Sequence, residues 1–400
     1  MSLGIKRKIT ISVLALAGVA VVLALWLRND DGSDGGGAVI PVALKPMVPV
    51  DPVPDPDPIP EKQVEPPKVD VVFVVDTTGS MSGLIEGAKR KIWSIANQIL
   101  GGQPKPHVRI GLIGYRDLGD DYVTKRFQLT EDIDDVYANL QAFSAGGGGD
   151  TPEHVNRALT EAINNMQWRK GQNVLRQIFL VGDAPPHEGR EGLRSSHLAQ
   201  LASDNGIVIN AVRCGSMMAT AAAWQRIAVA AGGLYASIRQ DGGMVAVSTP
   251  FDRKLQELNL ALSSTLLPTG GAGEKAAARR RARDNSAMDA FAQAESAKYR
   301  AKSGRIDSKD LLTVMSRGKR LSEMNDKELP APVAALSMPA RQAYVANVAK
   351  QRHELKNKIA KLAKKRDSYI RAKRPATSDA FDSTVGSALK AQGKSAGIAY

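Results

Sequence analysis

The chain has 400 residues, 43% of them apolar, so it is long enough for two or three domains and apolar enough for one sizeable core. Its single cysteine, Cys214, excludes an intramolecular disulfide, and its place at a strand end favours a part-buried structural thiol over a reactive one. The net charge of +13 belongs to the C-terminal third, because residues 269–400 hold 28 Lys and Arg against 13 Asp and Glu.

Residues 1–28 are predicted to be a cytoplasmic stub and a transmembrane anchor. Residues 9–27 carry no charge, and as a helix they would span roughly 28 Å, close to the thickness of a bilayer core. The preceding Lys6, Arg7 and Lys8 favour a cytoplasmic N-terminus. A cleaved signal peptide is the alternative, but the apolar run is long for one and no good cleavage site follows. We therefore expect a single-pass protein of the cell membrane with its C-terminal domains extracytoplasmic, either periplasmic or extracellular.

Residues 29–67 are predicted to be a linker. Gly, Ser and Asp dominate residues 32–40, which favours a flexible segment, and residues 41–67 contain ten prolines. A proline-rich stretch excludes helix and inner strand and favours extended polyproline II. A stiff spacer of this kind would hold the next domain away from a membrane.

Residues 68–268 alternate strand and helix patterns, which predicts an α/β domain with a Rossmann-like, doubly wound and mostly parallel sheet. The predicted strands, of which the third is a shorter and more polar edge strand, cover residues 71–75, 108–115, 122–129, 177–182, 207–212 and 234–238. The predicted helices cover residues 84–96, 132–143, 152–166, 193–202, 221–231 and 251–267. Pro152 and Glu153 suit the first turn of the third helix.

The first predicted strand ends at a polar loop with the sequence Asp76-Thr77-Thr78-Gly79-Ser80. Ligands of open α/β sheets bind at this carboxyl edge of the strands. Alternate residues of an extended loop can face the same way, so Asp76, Thr78 and Ser80 would converge. One carboxylate and two hydroxyls favour Mg²⁺, Mn²⁺ or Ca²⁺ over zinc, which prefers nitrogen and sulfur ligands.

This loop resembles the first motif, Asp-x-Ser/Thr-x-Ser, of the metal-ion-dependent adhesion site (MIDAS) of the von Willebrand factor A (vWA) domain family. Thr78 stands where many members have Ser, which keeps the hydroxyl. The second family motif is a loop Thr, matched by Thr151, and the third is an Asp after a later strand, matched by Asp183. The resemblance covers roughly residues 68–268. It is especially close to bacterial members with Tyr-Arg-Asp, Gly-Gly-Asp-Thr-Pro-Glu and Gly-Asp-Ala-Pro-Pro-His, which suggests a bacterial membrane-anchored vWA-domain protein.

The resemblance implies a role for each matched residue. Thr78 and Ser80 would bind the cation directly, Thr151 directly or through water, and Asp76 and Asp183 largely through water. Mg²⁺ is the ion that the family suggests, with Mn²⁺ or Ca²⁺ as alternatives. An Asp or Glu of a protein ligand would complete the metal sphere. We therefore expect a non-enzymatic, cation-dependent protein-binding module that serves in adhesion or as an assembly scaffold.

Other interpretations of these loops stay open. Asp-Thr-Thr-Gly-Ser also resembles the phospho-aspartate loop of haloacid-dehalogenase-like phosphatases, which would make the chain a metal-dependent phosphohydrolase using the Asp76 loop. That chemistry needs a second acidic pair and a lysine in matching loops, which residues 182–186 imitate only in part. A loop that binds no metal is a further alternative. We interpret His187 as a partner contact or local hydrogen-bonding residue, and Arg116 with Asp117 as a salt bridge at the rim.

Residues 269–400 are predicted to be a basic helical tail with coiled-coil character. Residues 274–302 have a helical composition, and residues 340–373 predict a long helix with apolar residues at heptad-like steps. Arg352 and Arg366 occupy the two gaps in this pattern. The long helix would form a hairpin on the preceding domain or a coiled coil between chains, through self-association of residues 340–373. The end of the tail is predicted to be a sparse segment bearing Gly and Ser.

The basic charge of the tail raises the question of an anionic partner. The tail has no zinc-ligand set, no helix-turn-helix signature and few aromatic residues for base stacking, which argues against nucleic acid. A solvated helical face is the preferred interpretation. A scaffold whose basic tail binds an anionic surface, such as lipid headgroups or an acidic polymer, is the alternative.

Overall fold

The computed structural model describes residues 65–149, 151–241, 247–373 and 380–400. All of these residues belong to one compact unit. Within the described ranges, no helix is long and apolar enough to cross a membrane. The predicted anchor at residues 9–27 lies outside the described residues, as does nearly all of the predicted linker.

The centre of this unit is a six-stranded sheet with the strand order β3-β2-β1-β4-β5-β6. Strand β3 pairs antiparallel with β2, and all the other neighbours are parallel. The strands are β1 (Lys68–Asp76), β2 (His107–Tyr115), β3 (Thr124–Thr130), β4 (Val174–Gly182), β5 (Ile207–Cys214) and β6 (Tyr235–Ile238). Each overlaps a predicted strand, so the α/β class with a mostly parallel sheet is confirmed.

Twelve α-helices occur in the described residues. Helices α1 to α6 span Ser82–Ile99, Ile133–Gln141, Val155–Asn164, Ser195–Asp204, Met218–Ala230 and Asp252–Ser263. Helices α7 to α12 span Ala272–Ser286, Ala290–Ser303, Leu311–Ser316, Ala331–Ala334, Met338–Lys373 and Ala380–Gln392.

The alternation of side chains along β1 divides the core into two layers. Val71 and Phe73 face one layer, which is covered by α1, α2, α8 and α12. Val72 and Val74 face the other layer, which is covered by α3, α4 and α5. Because both faces are covered, the central strand is apolar at consecutive positions rather than at alternate ones. The carboxyl ends of β1 and β4 therefore meet at one edge of the sheet, where the loops after them are brought together.

Three predictions about the helices were wrong. Helix α3 begins at Val155, so Pro152 and Glu153 precede it. The helical stretch predicted over residues 274–302 is two helices, because Asp289 starts a new one by accepting a hydrogen bond from Ala292 N at 2.8 Å. The end of the tail is helix α12, and its apolar side lies in the core.

Buried arginines join the C-terminal helices to each other and to α2 and α6. Arg300 of α8 donates to both carboxylate oxygens of Asp134 in α2, at 3.0 and 2.8 Å. Arg352 of α11 is paired with Asp310, and Arg366 of α11 with Asp252 and Glu295. All three arginines are at least 95% buried. Part of the positive charge predicted to be solvated is therefore neutralised inside the protein.

The long helix α11 buries its heptad-like side within the chain. Val345, Val348 and Ile359 are buried there, together with the two arginines at the gaps of the pattern. The hairpin-like alternative, in which the helix packs on its own chain, therefore describes the structure. Self-association through residues 340–373 stays a prediction.

Candidate metal centre

The Asp76 loop folds so that its three predicted donor residues lie side by side. Asp76 Oδ1 accepts hydrogen bonds from Thr78 N at 2.9 Å and from Thr78 Oγ1 at 2.7 Å. Thr78 Oγ1 lies 3.3 Å from Ser80 Oγ. Asp76 and Thr78 are buried, whereas Ser80 is exposed. The loop thus forms a row of oxygen atoms that runs from the sheet to the surface.

Asp76 is buried without a neutralising cation among the described residues. Its Oδ2 atom has no hydrogen-bond partner there. Burial raises the pKa of Asp76 to about 7; hydrogen bonds from Thr78 oppose this rise and the nearby Asp183 adds to it. A carboxylate in such a place is stabilised by a positive charge beside its free oxygen.

Asp183 follows β4 and lies next to Asp76 because the residue before it is glycine. A Cβ atom on Gly182 would lie 2.9 Å from Asp76 Cβ and 2.4 Å from the Tyr115 hydroxyl, so a larger residue would push these groups apart. Gln240 Nε2 donates to Asp183 Oδ2 at 2.6 Å and to the carbonyl of Ser80 at 3.3 Å. Gln240 therefore links Asp183, the third motif, to Ser80 of the first motif through hydrogen bonds.

The glycine segment before Thr151 runs alongside the Asp76 loop. Gly146 N donates to Thr77 O at 3.1 Å, and Gly79 N donates to Gly147 O at 3.2 Å. Gly147 has a φ of +69°, which favours glycine. Thr151 lies at the exposed end of this segment. The structure thus brings Asp76, Thr78, Ser80 and Asp183 together and places the Thr151 loop beside them.

Two buried polar residues at this edge were not predicted as part of the site. Tyr115 is the last residue of β2, and its hydroxyl has no hydrogen-bond partner among the described residues. Burial, followed by the charges of Asp76 and Asp183, holds the Tyr115 pKa well above its usual value. Glu153 is likewise buried, with its Oε2 unpartnered. In the sequence, the only signal for Tyr115 was its position at a strand end, and Glu153 was assigned to a helix.

The rim contacts correct the predicted pairing of Arg116 with Asp117. Arg116 donates to the carbonyls of Thr77 at 3.1 Å and Ser144 at 2.8 Å, so it joins two loops of the site. Asp117 instead lies 3.0 Å from His187 Nε2. Burial acts to raise the pKa of Asp117, but the contact with His187, the backbone N–H of Leu118 and the charge of Arg190 together lower the pKa. His187 is a local hydrogen-bonding residue, as one of its two interpretations held.

Cys214 ends β5 and is fully buried, in agreement with a structural thiol. Burial raises the pKa of this thiol well above its ordinary value, and the charges of Asp183 and Asp76 add to the effect. The thiolate form is therefore disfavoured beside the candidate site.

The donor set fits a hard divalent cation. Hydroxyl and carboxylate oxygens are the ligands that Mg²⁺, Mn²⁺ and Ca²⁺ prefer. In the part of the chain that the structure describes, no three side chains among His, Cys, Asp and Glu converge closely enough to hold a metal by themselves. A cation here would therefore depend on the hydroxyls of Thr78 and Ser80. Within the same residues, no lysine donates a hydrogen bond to Asp76 or Asp183, although the phosphohydrolase alternative requires a lysine.

The domain has a doubly wound, mostly parallel sheet with hydroxyls and two carboxylates at its carboxyl edge. It therefore belongs to the class of α/β domains whose ligand site lies at this edge of the sheet. Residues 70–249 match the family model of the von Willebrand factor A domain. This match supports the vWA family for the α/β part of the chain, as the resemblance of the motifs suggested. Domains of this family commonly mediate metal-dependent protein interactions.

Curated relatives share the same region. The alpha-protein kinase vwkA of Dictyostelium discoideum is 32% identical over 122 residues, which are 30% of this chain and 19% of that protein. The von Willebrand factor A domain-containing protein 7 of Homo sapiens is 33% identical over 122 residues, which are 30% of this chain and 12% of that protein. The chain thus matches less than a fifth of the length of these relatives.

Solved structures with a similar fold include BatB from Bacteroides thetaiotaomicron, which is 18% identical and covers 43% of this chain and 90% of its own, with a TM-score of 0.35. The SpRpn10 VWA domain is 17% identical and covers 44% of this chain and 89% of its own, with a TM-score of 0.34. The mussel byssus protein PTMP1, solved with a zinc-occupied MIDAS motif, is 16% identical with a TM-score of 0.34, over 43% of this chain and 42% of its own.

Proposed function

We propose that this chain binds a protein partner through a divalent cation held at the Asp76 loop. The observation that carries the proposal is the buried carboxylate of Asp76. One of its oxygens orients Thr78, and the other is unpartnered beside a second carboxylate, Asp183. Asp76 is buried without a counter-charge and the partly exposed carboxylate of Asp183 lies beside it, so a cation between them would stabilise both.

In this proposal each predicted residue of the metal site has a distinct role. Thr78 and Ser80 would hold the ion, with Thr151 joining from the neighbouring loop. Asp76 and Asp183 would accept hydrogen bonds from its water shell and fix the hydroxyls. Mg²⁺ is the ion we propose, with Mn²⁺ or Ca²⁺ as substitutes. An ion held mainly by neutral hydroxyls keeps enough positive charge to attract an Asp or Glu of the partner.

We further propose that the domain is displayed from a membrane. This part rests on the sequence of residues 9–27, which is uncharged and long enough for a bilayer, and on the basic residues before it. Residues 269–400 would then lie on the same side of the membrane as the candidate metal centre, because both follow the anchor.

Calorimetric titration of Mg²⁺ and Mn²⁺ into the full chain tests the metal site. We expect saturable 1:1 binding in the wild type and at least a tenfold loss of affinity in Asp76→Asn and Asp183→Asn. Asp204→Asn, at the exposed end of α4, is the matched control and should bind like the wild type. Absence of saturable binding at millimolar metal, or equal binding by all variants, would overturn the proposal.

A further inference from the structure

Glu153 lies between the candidate metal centre and the start of α3. The backbone holds it on both sides, because Glu153 N donates to Pro185 O at 3.0 Å and Glu153 O accepts from His187 N at 3.1 Å. A Cβ atom on Gly148 would lie 3.1 Å from Thr78 Cβ and 3.2 Å from Glu153 Oε1. The Glu153 carboxyl group and Thr78 therefore meet at this glycine.

The environment of Glu153 is unfavourable for a purely structural residue. Only 3% of Glu153 is exposed, and its Oε2 atom has no hydrogen-bond partner among the described residues. The negative charges of Asp76, Asp117 and Asp120 lie near enough to repel a charge on Glu153. Buried acids normally have a hydrogen-bond donor or a cation beside them. Glu153 instead adds another acid to a group of acids.

We propose that Glu153 is the third carboxylate of the metal centre and that it positions the water shell of the bound ion. This inference rests on the proposed function of the Asp76 loop. Direct ligation by three acids is not the arrangement of the described residues, so Glu153 acts through water. Its free oxygen accepts a hydrogen bond from a metal-bound water, as carboxylates next to metal sites commonly do.

The charge of Glu153 has a consequence for affinity. Together with Asp76 and Asp183 it gives the cation three carboxylates as counter-charges, one more than the motif residues supply. The centre then holds the ion more tightly and attracts the carboxylate of a partner less strongly. Glu153 would thereby raise the affinity of the site for the ion and lower the affinity of the bound ion for the carboxylate of the partner.

The test compares metal affinity with metal-free stability in the full chain. Glu153→Gln keeps the shape of the side chain and removes its charge. We expect a 10- to 100-fold weaker Kd for Mn²⁺, as for other residues that act on a metal through its shell. The thermal midpoint of the metal-free variant should stay equal or rise, because the repulsion from neighbouring acids is removed. Glu257→Gln, an exposed glutamate on α6, should change neither quantity.

The outcomes separate this inference from the proposed function. If Glu153→Gln binds Mn²⁺ like the wild type while Asp183→Asn does not bind, only the role of Glu153 is overturned. If the wild type itself shows no saturable Mn²⁺ binding, both proposals are overturned. A lower metal-free midpoint with unchanged affinity would identify a structural residue and would also overturn the inference.

Crystals of the wild type with Mn²⁺ provide a second measurement in case Glu153→Gln does not fold. Anomalous scattering locates the ion, and the expected result is an ordered water that bridges Mn²⁺ and Glu153. An ion without such a water would contradict the inference.

Discussion

Two buried acids with unpartnered oxygens mark this site at the scale of single residues. Asp76 was recognisable in the sequence, because a strand of apolar residues ends at it and hydroxyls follow at alternate positions. Glu153 was not, because its approach to Thr78 depends on the bend of the glycine loop and on the backbone bonds to Pro185 and His187. The types of metal-binding residues can be predicted from a motif. The neighbouring residues that add to the charge of the site cannot be predicted in this way.

The raised pKa values predict how the metal-free protein responds to pH. Asp76 and Glu153 have pKa values of about 7 and about 8, against ordinary values of 3.8 and 4.5. The folded state therefore binds more protons than the unfolded state between about pH 4 and pH 8, and its stability should fall as the pH rises through this range. Thermal midpoints of the metal-free chain should show this slope, and Asp76→Asn should reduce it. A midpoint independent of pH would contradict the prediction.

The burial of Cys214 predicts that the native thiol is inert. The thiolate is the reactive form, and both burial and the neighbouring Asp183 and Asp76 charges disfavour it. Iodoacetamide should leave Cys214 unmodified in the native chain and label it fully in guanidinium chloride, as mass spectrometry would show. Rapid labelling of the native protein would contradict this account.

At the scale of elements, α11 has buried ion pairs at two positions where a coiled coil would have apolar residues. The heptad-like pattern predicted a long helix, and the helix is there. The gaps at Arg352 and Arg366 did not reveal their role, because the acids that neutralise them come from distant positions such as Asp310 and Asp252. A buried arginine is stable only beside the acids that neutralise it. Such pairs therefore favour the one packing of the helices that brings arginine and acid together.

Removal of one of these arginines should be strongly destabilising. Arg366 is 1% exposed, donates to Asp252 Oδ1 at 2.6 Å and is paired with Glu295. Arg366→Met would leave two buried carboxylates without their cation, which costs about 3–5 kcal/mol in the free energy of unfolding. Urea denaturation of the full chain measures this difference.

The control for this prediction is Arg253→Met on α6, where the side chain is 91% exposed. A change within about 0.5 kcal/mol is expected there. Equal stability of Arg366→Met and Arg253→Met would show that the buried pairs add no net stability.

At the scale of the whole molecule, the C-terminal helix α12 completes the core of the α/β domain. Phe381 packs 6.4 Å from Phe73 of β1 between ring centroids. Gln392 donates to Asn210 Oδ1 at 2.7 Å and thereby satisfies a fully buried polar residue of β5. The sequence predicted the sheet because its strands are continuous apolar runs. It did not predict that residues after 380 cover that sheet, because the apolar positions of α12 are few and nothing local indicates their partner.

The role of α12 predicts that a change in it destabilises the whole unit. Leu389 is 1% exposed in the layer formed with α1. Leu389→Ala should lower the free energy of unfolding by about 2–5 kcal/mol. Ser387→Ala, on the exposed side of the same helix, should change it by less than about 0.5 kcal/mol. Equal denaturation midpoints for the two variants would mean that α12 does not belong to the cooperative core.

The contacts at Ile99 and Gln103 have a consequence for synthesis on the ribosome. Tyr400 donates to the carbonyl of Ile99, which lies 301 positions earlier in the sequence, and Ala399 pairs with Gln103 beside it. Strand β1 and helix α1 are translated long before the residues that cover them. Contacts so distant in sequence form late and slow the overall reaction. Until residues 380–400 have been translated, a growing chain therefore carries an uncovered apolar face of the kind that aggregates readily.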